Sequence, residues 1–325
     1  MRIAITGANG FVGQNLCSHL GIRGWGVLPL VRSAKASGSI ETRCAYKIVS
    51  YDNPQSIANA IQSCDVLVHN AGQTKAQSFP EMYSANVGTT YTVLESLALA
   101  PNIKQLIYVS SQAAGKPSYK AVPVKESDRE YPLTWYGKSK LMAEKVIQNC
   151  CPIPYTIIRP ASVYGPGDKD FLQLFRILDK GMRIKLKSGS NAISLIYIRE
   201  LCDFIELCIG NPKAYGNIFY ASDGECYTQD YLQQMVLHLL NRKSIDIPVP
   251  KMMMDLIAMV AESIGKLTDM TPVVNRQKNI EINADSWLCS IEKARHILGF
   301  DPKPNLSDNL NETIAWYRDK GLLSS

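Results

Sequence analysis

Two groups of residues in this 325-residue sequence could carry a reaction. The first is Tyr136 and Lys140, in the run Trp135-Tyr136-Gly137-Lys138-Ser139-Lys140-Leu141-Met142-Ala143-Glu144. A four-residue step on a helix puts both side chains on one face, one turn apart. A phenol is a poor acid near neutrality, and a nearby cation favours its ionised form. Bringing it into the neutral range takes roughly 4 kcal/mol of differential interaction with surrounding charge. Such a pair can pass a proton to and from a reacting oxygen. Tyr-x-x-x-Lys also arises by chance in many helices, so its weight comes from context. The apolar run ending at Ser110-Ser111 stops 25 residues before Tyr136. The second group is the turn Thr6-Gly7-Ala8-Asn9-Gly10-Phe11-Val12-Gly13. Glycines at positions 7, 10 and 13 between a first strand and a first helix make an anion site from free backbone N–H groups and the helix dipole. In a dinucleotide site Gly7 permits the tight turn, Gly10 lets the backbone approach a pyrophosphate, and Gly13 lets helix and strand pack.

The elements that must position these residues alternate regularly. Residues 2 to 5 read as a buried strand, followed by a helix with Val12, Leu16, Cys17 and Leu20 inward. Gly24 to Val31 is a second strand ending at Arg32-Ser33, and Tyr46 to Tyr51 a third. Ser56 to Ser63 is a helix with Ile57, Ala60 and Ile61 on its inner face. Val66 to His69 is a fourth strand, broken by Asn70-Ala71-Gly72, whose small residues leave room for a flat cofactor. Glu81 to Ala100 is a long helix carrying Asn86, and Leu106 to Val109 a fifth strand. Five strand–helix alternations predict a parallel sheet with helices on both faces and ligands along the strands' C-terminal ends. A proline-interrupted loop, 115–134, leads to the Tyr136 helix. Further on, Asp170 to Lys180 reads as a helix, Ala192 to Ile198 as a strand, Leu201 to Ile209 as a helix, and Asn217 to Ala221 as a strand. Thr228 caps a helix running to Leu240.

At the end of the second strand an acidic residue would accept from the 2′-OH of NAD, whereas arginine suits a 2′-phosphate. Arg32, Ser33 and Lys35 stand there with no Asp or Glu, so NADP(H) is the expected cofactor, with NAD(H) the alternative. Apolar content of 46%, charge of 20% and a net charge of +6 with no like-charge block give no reason to expect nucleic acid or an anionic membrane. Nine cysteines without a C-x-x-C pair read as reduced thiols of a cytoplasmic protein, and four scattered histidines give no metal spacing. Met1-Arg2 leads straight into the first strand, so no signal peptide is expected, and Met252 to Ile264 is too short and too charged to span a bilayer. The Met252–Val260 helix reads either as core or as an apolar substrate pocket or membrane-contacting face.

The combination Thr6-Gly7-x-x-Gly10-x-x-Gly13, Asn70-Ala71-Gly72, Ser110-Ser111, Tyr136-x-x-x-Lys140 and Arg159-Pro160-Ala161-Ser162-Val163-Tyr164-Gly165-Pro166-Gly167 resembles the extended short-chain dehydrogenase/reductase superfamily. The closing run from Ser290 to Pro302 is similar to the same family's last helix. The resemblance implies a Rossmann-type doubly wound parallel sheet over residues 1–160 and a smaller α/β substrate-binding lobe over 161–325, some of whose elements return to the main sheet. It implies Tyr136 as general acid/base, Lys140 as the cation that lowers the phenol and holds the nicotinamide ribose, and Ser111 as donor to the substrate oxygen. Asn86 either relays protons or pins the fourth strand, and Pro160 to Val163 line the nicotinamide. A homodimer through the helices containing Glu81–Ala100 and Tyr136–Cys150 is also implied.

Within the superfamily, sugar-nucleotide enzymes carry Asn near position 162 and Arg near 193, where this sequence has Ser162 and Ile193. The Arg-Pro-x-x-Val-Tyr-Gly-Pro-Gly-Asp run resembles dihydroflavonol reductases and 3β-hydroxysteroid dehydrogenases instead. The expectation is an NADP(H)-dependent ketone/alcohol oxidoreductase, with an NAD-dependent nucleotide-sugar epimerase or dehydratase as the alternative. A catalytically silent NADP-binding scaffold is a third class, disfavoured by the presence of Ser111, Tyr136 and Lys140 together.

Overall fold

The computed structural model describes residues 1–33, 45–186, 192–249 and 276–324. Lys35, Cys44 and the Met252–Val260 segment lie outside the described residues. Strands β1 (Arg2–Thr6), β2 (Gly26–Val31), β3 (Lys47–Ile48), β4 (Val66–His69), β5 (Gln105–Val109) and β6 (Tyr155–Pro160) form a parallel sheet. Four short strands follow outside it: β7 (Ser162–Tyr164), β8 (Met182–Leu186), β9 (Ala192–Ile193) and β10 (Leu195–Tyr197). Then β11 (Asn217–Ala221) returns to pair with β6, giving the spatial order 3-2-1-4-5-6-11. Smaller pairings involve β12 (Tyr227–Thr228) and β14 (Ser286–Trp287) with β9, β13 (Ile245–Val249) with β8, and β7 with β10.

Alternation along the strands divides the core into two faces. Ile3, Ile5, Val66, Val68, Ile107 and Val109 point to one face, against α1 (Phe11–Ile22). Ala4, Leu67, Leu106 and Tyr108 point to the other, against α2 (Pro54–Ile61) and the next helices. Asn53 caps α2 through Gln55 and Ser56 amides, and Pro54 sits in its first turn, where a missing N–H costs nothing. The buried side of α2 is Ile57, Ala58 and Ile61, with the half-buried Ala60 packed against the same cluster.

The expected helix 81–100 is composite. It starts as α3 (Phe79–Tyr83), widens into a π-helical turn at Ser84–Gly88, and resumes as α4 (Thr89–Ala98). The wide turn contains Asn86, and such bulges mark places where a side chain must be re-aimed. The expected strand 192–198 is likewise divided. Ser194 leaves the strand path, its amide donating to Trp287 O at 2.8 Å, and β9 and β10 join different sheets. Periodicity cannot register such a break, because the apolar pattern runs through it.

The remaining helices are α5 (Trp135–Cys150), α6 (Asp170–Asp179), α7 (Ile198–Cys208), α8 (Gln229–Leu240), α9 (Arg276–Ile282), α10 (Glu292–Leu298) and α11 (Leu306–Asp319). Phe175 of α6, Phe204 of α7, Val236 of α8 and Tyr317 of α11 continue the same apolar cluster that covers Ile3 and Ile5. The second half of the chain therefore shares the core of the sheet. Between α1 and α7, His19 meets Glu206 at 2.8 Å and Asp203 at 3.6 Å. These carboxylates also accept from Trp25 Nε1 at 2.8 Å and Arg23 at 3.0 Å, which makes the group an inter-helix clamp.

One charged cluster lies deep inside. Glu144 of α5 is fully buried and accepts from Arg159 of β6, with Nη2 to Oε2 at 2.6 Å and Nε to Oε1 at 3.0 Å. Ser110 also donates to Glu144 by a short hydrogen bond, and Arg159 reaches Glu130 at 3.3 Å and Tyr220 at 3.4 Å. Removing one member of such a pair leaves a bare buried charge. Arg159→Met should therefore cost about 3–5 kcal/mol, read as a lower urea midpoint, and Glu144→Gln in the same chain should recover part of it. Equal midpoints for wild type and Arg159→Met would show that the pair does not anchor the fold.

Candidate active site

The glycine turn is shaped by contacts only glycine allows. Gly7 has φ +64°, and a Cβ there would lie 2.9 Å from Ala71 Cα and N. A Cβ on Gly13 would lie 2.2 Å from the Gly7 carbonyl oxygen, so Gly13 seats α1 on its own entry turn more than on the strand. Gly10 is exposed, and a Cβ there would meet only that same oxygen, at 3.3 Å. The first turn of α1 has no side-chain cap and no acidic residue. Its free amides, beginning at Phe11 and Val12, fit a diphosphate better than a cation or an apolar group. Asn9 is exposed and its carbonyl accepts from Gln14 Nε2 at 2.7 Å. Arg32 and Ser33 are exposed at the end of β2. The Arg32 charge reaches Tyr51, whose hydroxyl accepts from the Gly7 amide at 3.2 Å.

A chain of hydrogen bonds ties this turn to the next strand. Thr6 Oγ1 accepts from the Asn70 and Ala71 amides, both at 3.0 Å, which uses both lone pairs. Its proton is left for His69 Nδ1 at 2.9 Å, so Nε2 carries the ring hydrogen and donates to Thr90 Oγ1 at 3.1 Å. Thr90 in turn donates to the Asn86 carbonyl at 2.7 Å. This donor count assigns a neutral His69, and burial first, then the Lys140 cation, push its pKa down to about 3.

Asn86 uses its amide to hold backbone. Its Oδ1 accepts from Gln73 N at 2.8 Å, and its Nδ2 donates to Gln73 O at 3.0 Å and Ser139 Oγ at 2.8 Å. Asn86 thereby ties down Gln73, just beyond the fourth strand. A Cβ on Gly72 would lie 2.7 Å from Asn86 Oδ1 and 3.9 Å from Lys140 Nζ, so the Asn70-Ala71-Gly72 break brings backbone against both.

Ser111, Tyr136 and Lys140 converge at the C-terminal end of β5. The Ser111 side chain lies close enough to Tyr136 to hold its phenol down against the effect of burial. Gly137 makes the approach possible, because a Cβ there would lie 2.2 Å from Ala113 O in the turn after Ser111. Lys140 is buried and donates to Val109 O at 2.7 Å, with Nζ 4.4 Å from the Tyr108 ring centroid. Burial pushes Lys140 down to about 7 against the opposing pull of Glu144. Burial lifts Tyr136 to about 12, the Ser111 side chain opposes that, and the Glu281 and Asp170 carboxylates add to it. One Lys140 N–H goes to the Val109 carbonyl, and the ammonium keeps two further donors. Pro160 is buried at the end of β6, and Val163 is partly buried in β7, pairing with Ile196.

Sequence reasoning passed over several residues. Glu144 continues the Tyr136–Lys140 spacing by one more turn, and Arg159 is a lone charge in an apolar strand; both were readable signals. The roles of Thr6, Gly137, Gln277 and Glu281 had none, since their partners are distant in sequence.

The His69 assignment has a pH consequence. The unfolded ring takes a proton below its ordinary value of 6.5 while the folded ring resists until about 3, so stability from this group is present above 6.5 and lost as pH falls toward 3. Chemical-denaturation series should show that wild type loses stability more steeply than His69→Gln across that window. Parallel curves would mean that His69 is already charged in the fold.

The comparisons with known proteins agree with this architecture. A family model described as the NAD dependent epimerase/dehydratase family matches residues 3–220. The chain is similar to a UDP-glucose 4-epimerase of Vibrio cholerae, 29% identical with 96% of this chain and 94% of the relative covered. It is also similar to a ceramide reductase of Caulobacter vibrioides, 25% identical over 99% and 96%. Among solved structures, the UDP-glucose 4-epimerase of Thermotoga maritima superposes with a TM-score of 0.80 over 98% of this chain and 99% of that one, at 18% identity, a likeness of fold. Among the described residues no helix is long and apolar enough to cross a membrane. With fold, glycine turn and family match in agreement, the chain belongs to the NAD dependent epimerase/dehydratase family and is an enzyme of the extended short-chain dehydrogenase/reductase type.

Proposed function

We propose that this enzyme interconverts a ketone and a secondary alcohol with NADP(H), using Ser111, Tyr136 and Lys140. The observation that carries the reading is the buried Lys140 bonded to Val109 O at the end of β5, with Gly137 of the same helix packed against Ala113 in the turn after Ser111, which sets Tyr136 beside Ser111. The glycine turn and the α1 amides would hold the diphosphate, and Arg32 and Ser33 the phosphorylated adenosine ribose. Asn70, Ala71 and Gly72 would flank the cofactor, Lys140 would hold the nicotinamide ribose, and Pro160 and Val163 would line the ring. When bound, the nicotinamide supplies or accepts the hydride. Ser111 would donate to the substrate carbonyl oxygen and fix its position. Tyr136 would release its proton to that oxygen as negative charge develops there, breaking its own O–H bond as the alcohol's forms. Lys140 would stabilise the phenolate left behind.

A reductase is favoured over a sugar-nucleotide enzyme by position 193. Ile193 packs against the apolar core and offers nothing to a diphosphate, which loses a charge-assisted hydrogen bond there. Relatives named as reductases point the same way, including the Caulobacter protein and a farnesyl-dihydroquinoline-oxide ketoreductase of Stigmatella aurantiaca, 28% identical over 69% of each chain. The second reading, an NAD-dependent nucleotide-sugar epimerase or dehydratase, is supported by the near full-length likeness to the Vibrio epimerase. A homodimer through α4 and α5 fits the exposed Tyr91 and Met142 on those helices.

Mass spectrometry of nucleotide released from freshly purified protein separates the two readings. Exchangeable NADPH and little carried nucleotide support the reductase; tightly held, near-stoichiometric NAD overturns it in favour of the epimerase or dehydratase. Tyr136→Phe should abolish turnover with NADPH affinity within about twofold of wild type, whereas Lys140→Met should weaken both. Arg32→Asp should shift the NADPH:NADH affinity ratio by about tenfold or more toward NADH, as titrations of cofactor fluorescence would read. An unchanged ratio would remove Arg32 from the cofactor site.

A further inference from the structure

Between β7 and α6 the chain makes a tight turn, Gly165-Pro166-Gly167-Asp168, closed by the Asp168 amide donating to Gly165 O at 3.1 Å. Proline at the second position and glycine with φ +95° at the third give it the type II form. The turn's own bond leaves the Pro166 carbonyl for an outside partner, and Asn15 Nδ2 of α1 donates to it at 3.1 Å. The same nitrogen donates to Phe11 O at 3.0 Å, so both amide hydrogens are used. With a carbonyl at each contact, the Asn15 amide can only present its nitrogen there. Gly167 rests on the same turn of α1: a Cβ on it would lie 3.5 Å from Phe11 Cδ2 and 3.8 Å from Asn15 Nδ2. Three residues on, Asp170 at the start of α6 is bridged to Lys75 Nζ at 2.7 Å. The Asp168 carboxylate accepts from the Asp170 and Phe171 amides at 3.0 and 2.7 Å, so the turn and the helix start form one piece.

Residues 165–170 are thus tethered from two sides. Asn15 belongs to α1, which lies against the Ile3 and Ile5 face of the sheet. Lys75 belongs to the loop between β4 and α3, and the helix that follows, α4, packs on the opposite face through Val93 and Leu94. A segment held from both faces crosses the C-terminal edge of the sheet, where ligands of such sheets bind. Its tethers start just beyond the glycine turn and the Asn70-Ala71-Gly72 break, which are neighbours through the Thr6–His69 pairing of β1 and β4. We propose that Asn15, Lys75 and Asp170 are positioning residues that hold residues 165–170 as a strap across the dinucleotide groove. Cofactor enters and leaves when the Lys75–Asp170 tether opens. The proposal rests on the reading of the glycine turn as the cofactor site. The two tethers differ in strength. Asn15 is half-buried and meets a turn of fixed shape, whereas the Lys75 and Asp170 side chains are 32% and 54% exposed. An ion pair that open to water is weak, so the Lys75 side gives way first.

Release of NADPH from the full-length protein, chased with excess NADP⁺ and followed by cofactor fluorescence, tests the strap. Where NADH is the nucleotide bound, the same rates are read with NADH and NAD⁺. Asp170→Asn should release the nucleotide about threefold faster than wild type. Charge alone predicts the reverse, since removing a carboxylate beside an anionic nucleotide should slow its release. Lys75→Met should also release about threefold faster, and the exchanged pair Lys75→Asp with Asp170→Lys should return toward the wild-type rate. Asn15→Leu, which keeps the side chain's shape and loses both donors, should speed release as well, with circular dichroism confirming the fold. Unchanged or slower release in Asp170→Asn, or no recovery in the exchanged pair, would overturn the strap and leave the cofactor reading standing. Wild type that takes up neither NADPH nor NADH would overturn the cofactor reading, and the strap with it.

Discussion

A carboxylate sealed inside the molecule holds helix α5 in place. Glu144 has no access to solvent, so its charge must be met by protein, and Arg159 on β6 and Ser110 on β5 meet it. The cost of stripping water from both ions is offset only by short, well-aligned hydrogen bonds, which leaves little freedom in how α5 lies on the sheet. Tyr136 and Lys140 are on the same helix at four-residue steps from Glu144. Fixing Glu144 thus fixes the rotation of the face that carries both. Glu130 and Tyr220 extend the network to the loop before α5 and to β11, so the returning strand from the second half of the chain is tied into it.

Around that anchor, the site forms where backbones can come close. Gly7 admits Ala71, Gly72 admits Asn86, and Gly137 admits Ala113, each at a distance no Cβ would allow. These three approaches draw the ends of β1, β4 and β5 together with the start of α5. The Thr6–His69–Thr90–Asn86 chain then sets the donors and acceptors among them in one direction, which a protonated imidazole would break. The buried cation Lys140 and the neutral imidazole His69 sit in the same interior region, and the field of the first helps keep the second uncharged.

The lobe built by the second half of the chain packs on the sheet itself. The core that covers Ile3 and Ile5 continues into α6, α8 and α11, so the lobe cannot move as a separate body without opening the sheet's own packing. Segment 276–290 brings acidic and amide groups to the start of α5, while Ile193 contributes only apolar packing.

What the sequence determined by itself is the part governed by local pattern. Five alternations of strand and helix specified a parallel sheet, and its C-terminal edge as the place for ligands. The glycine turn, the Ser110-Ser111 strand end and Tyr136-x-x-x-Lys140 could be read as candidate chemistry, because turn geometry and helical spacing depend on neighbours a few residues away. The tertiary structure alone decided the rest. It split 192–198 at Ser194, opened a π-helical turn at Asn86 and turned one Lys140 N–H to the Val109 carbonyl. It also raised the Tyr136 phenol. Burial and the fields of distant carboxylates set that outcome, and neither is encoded in the spacing of two residues on one helix. The partners of Arg159, His69 and Gln277 lie 15 to 142 residues away, so only the folded chain brings them within hydrogen-bonding reach.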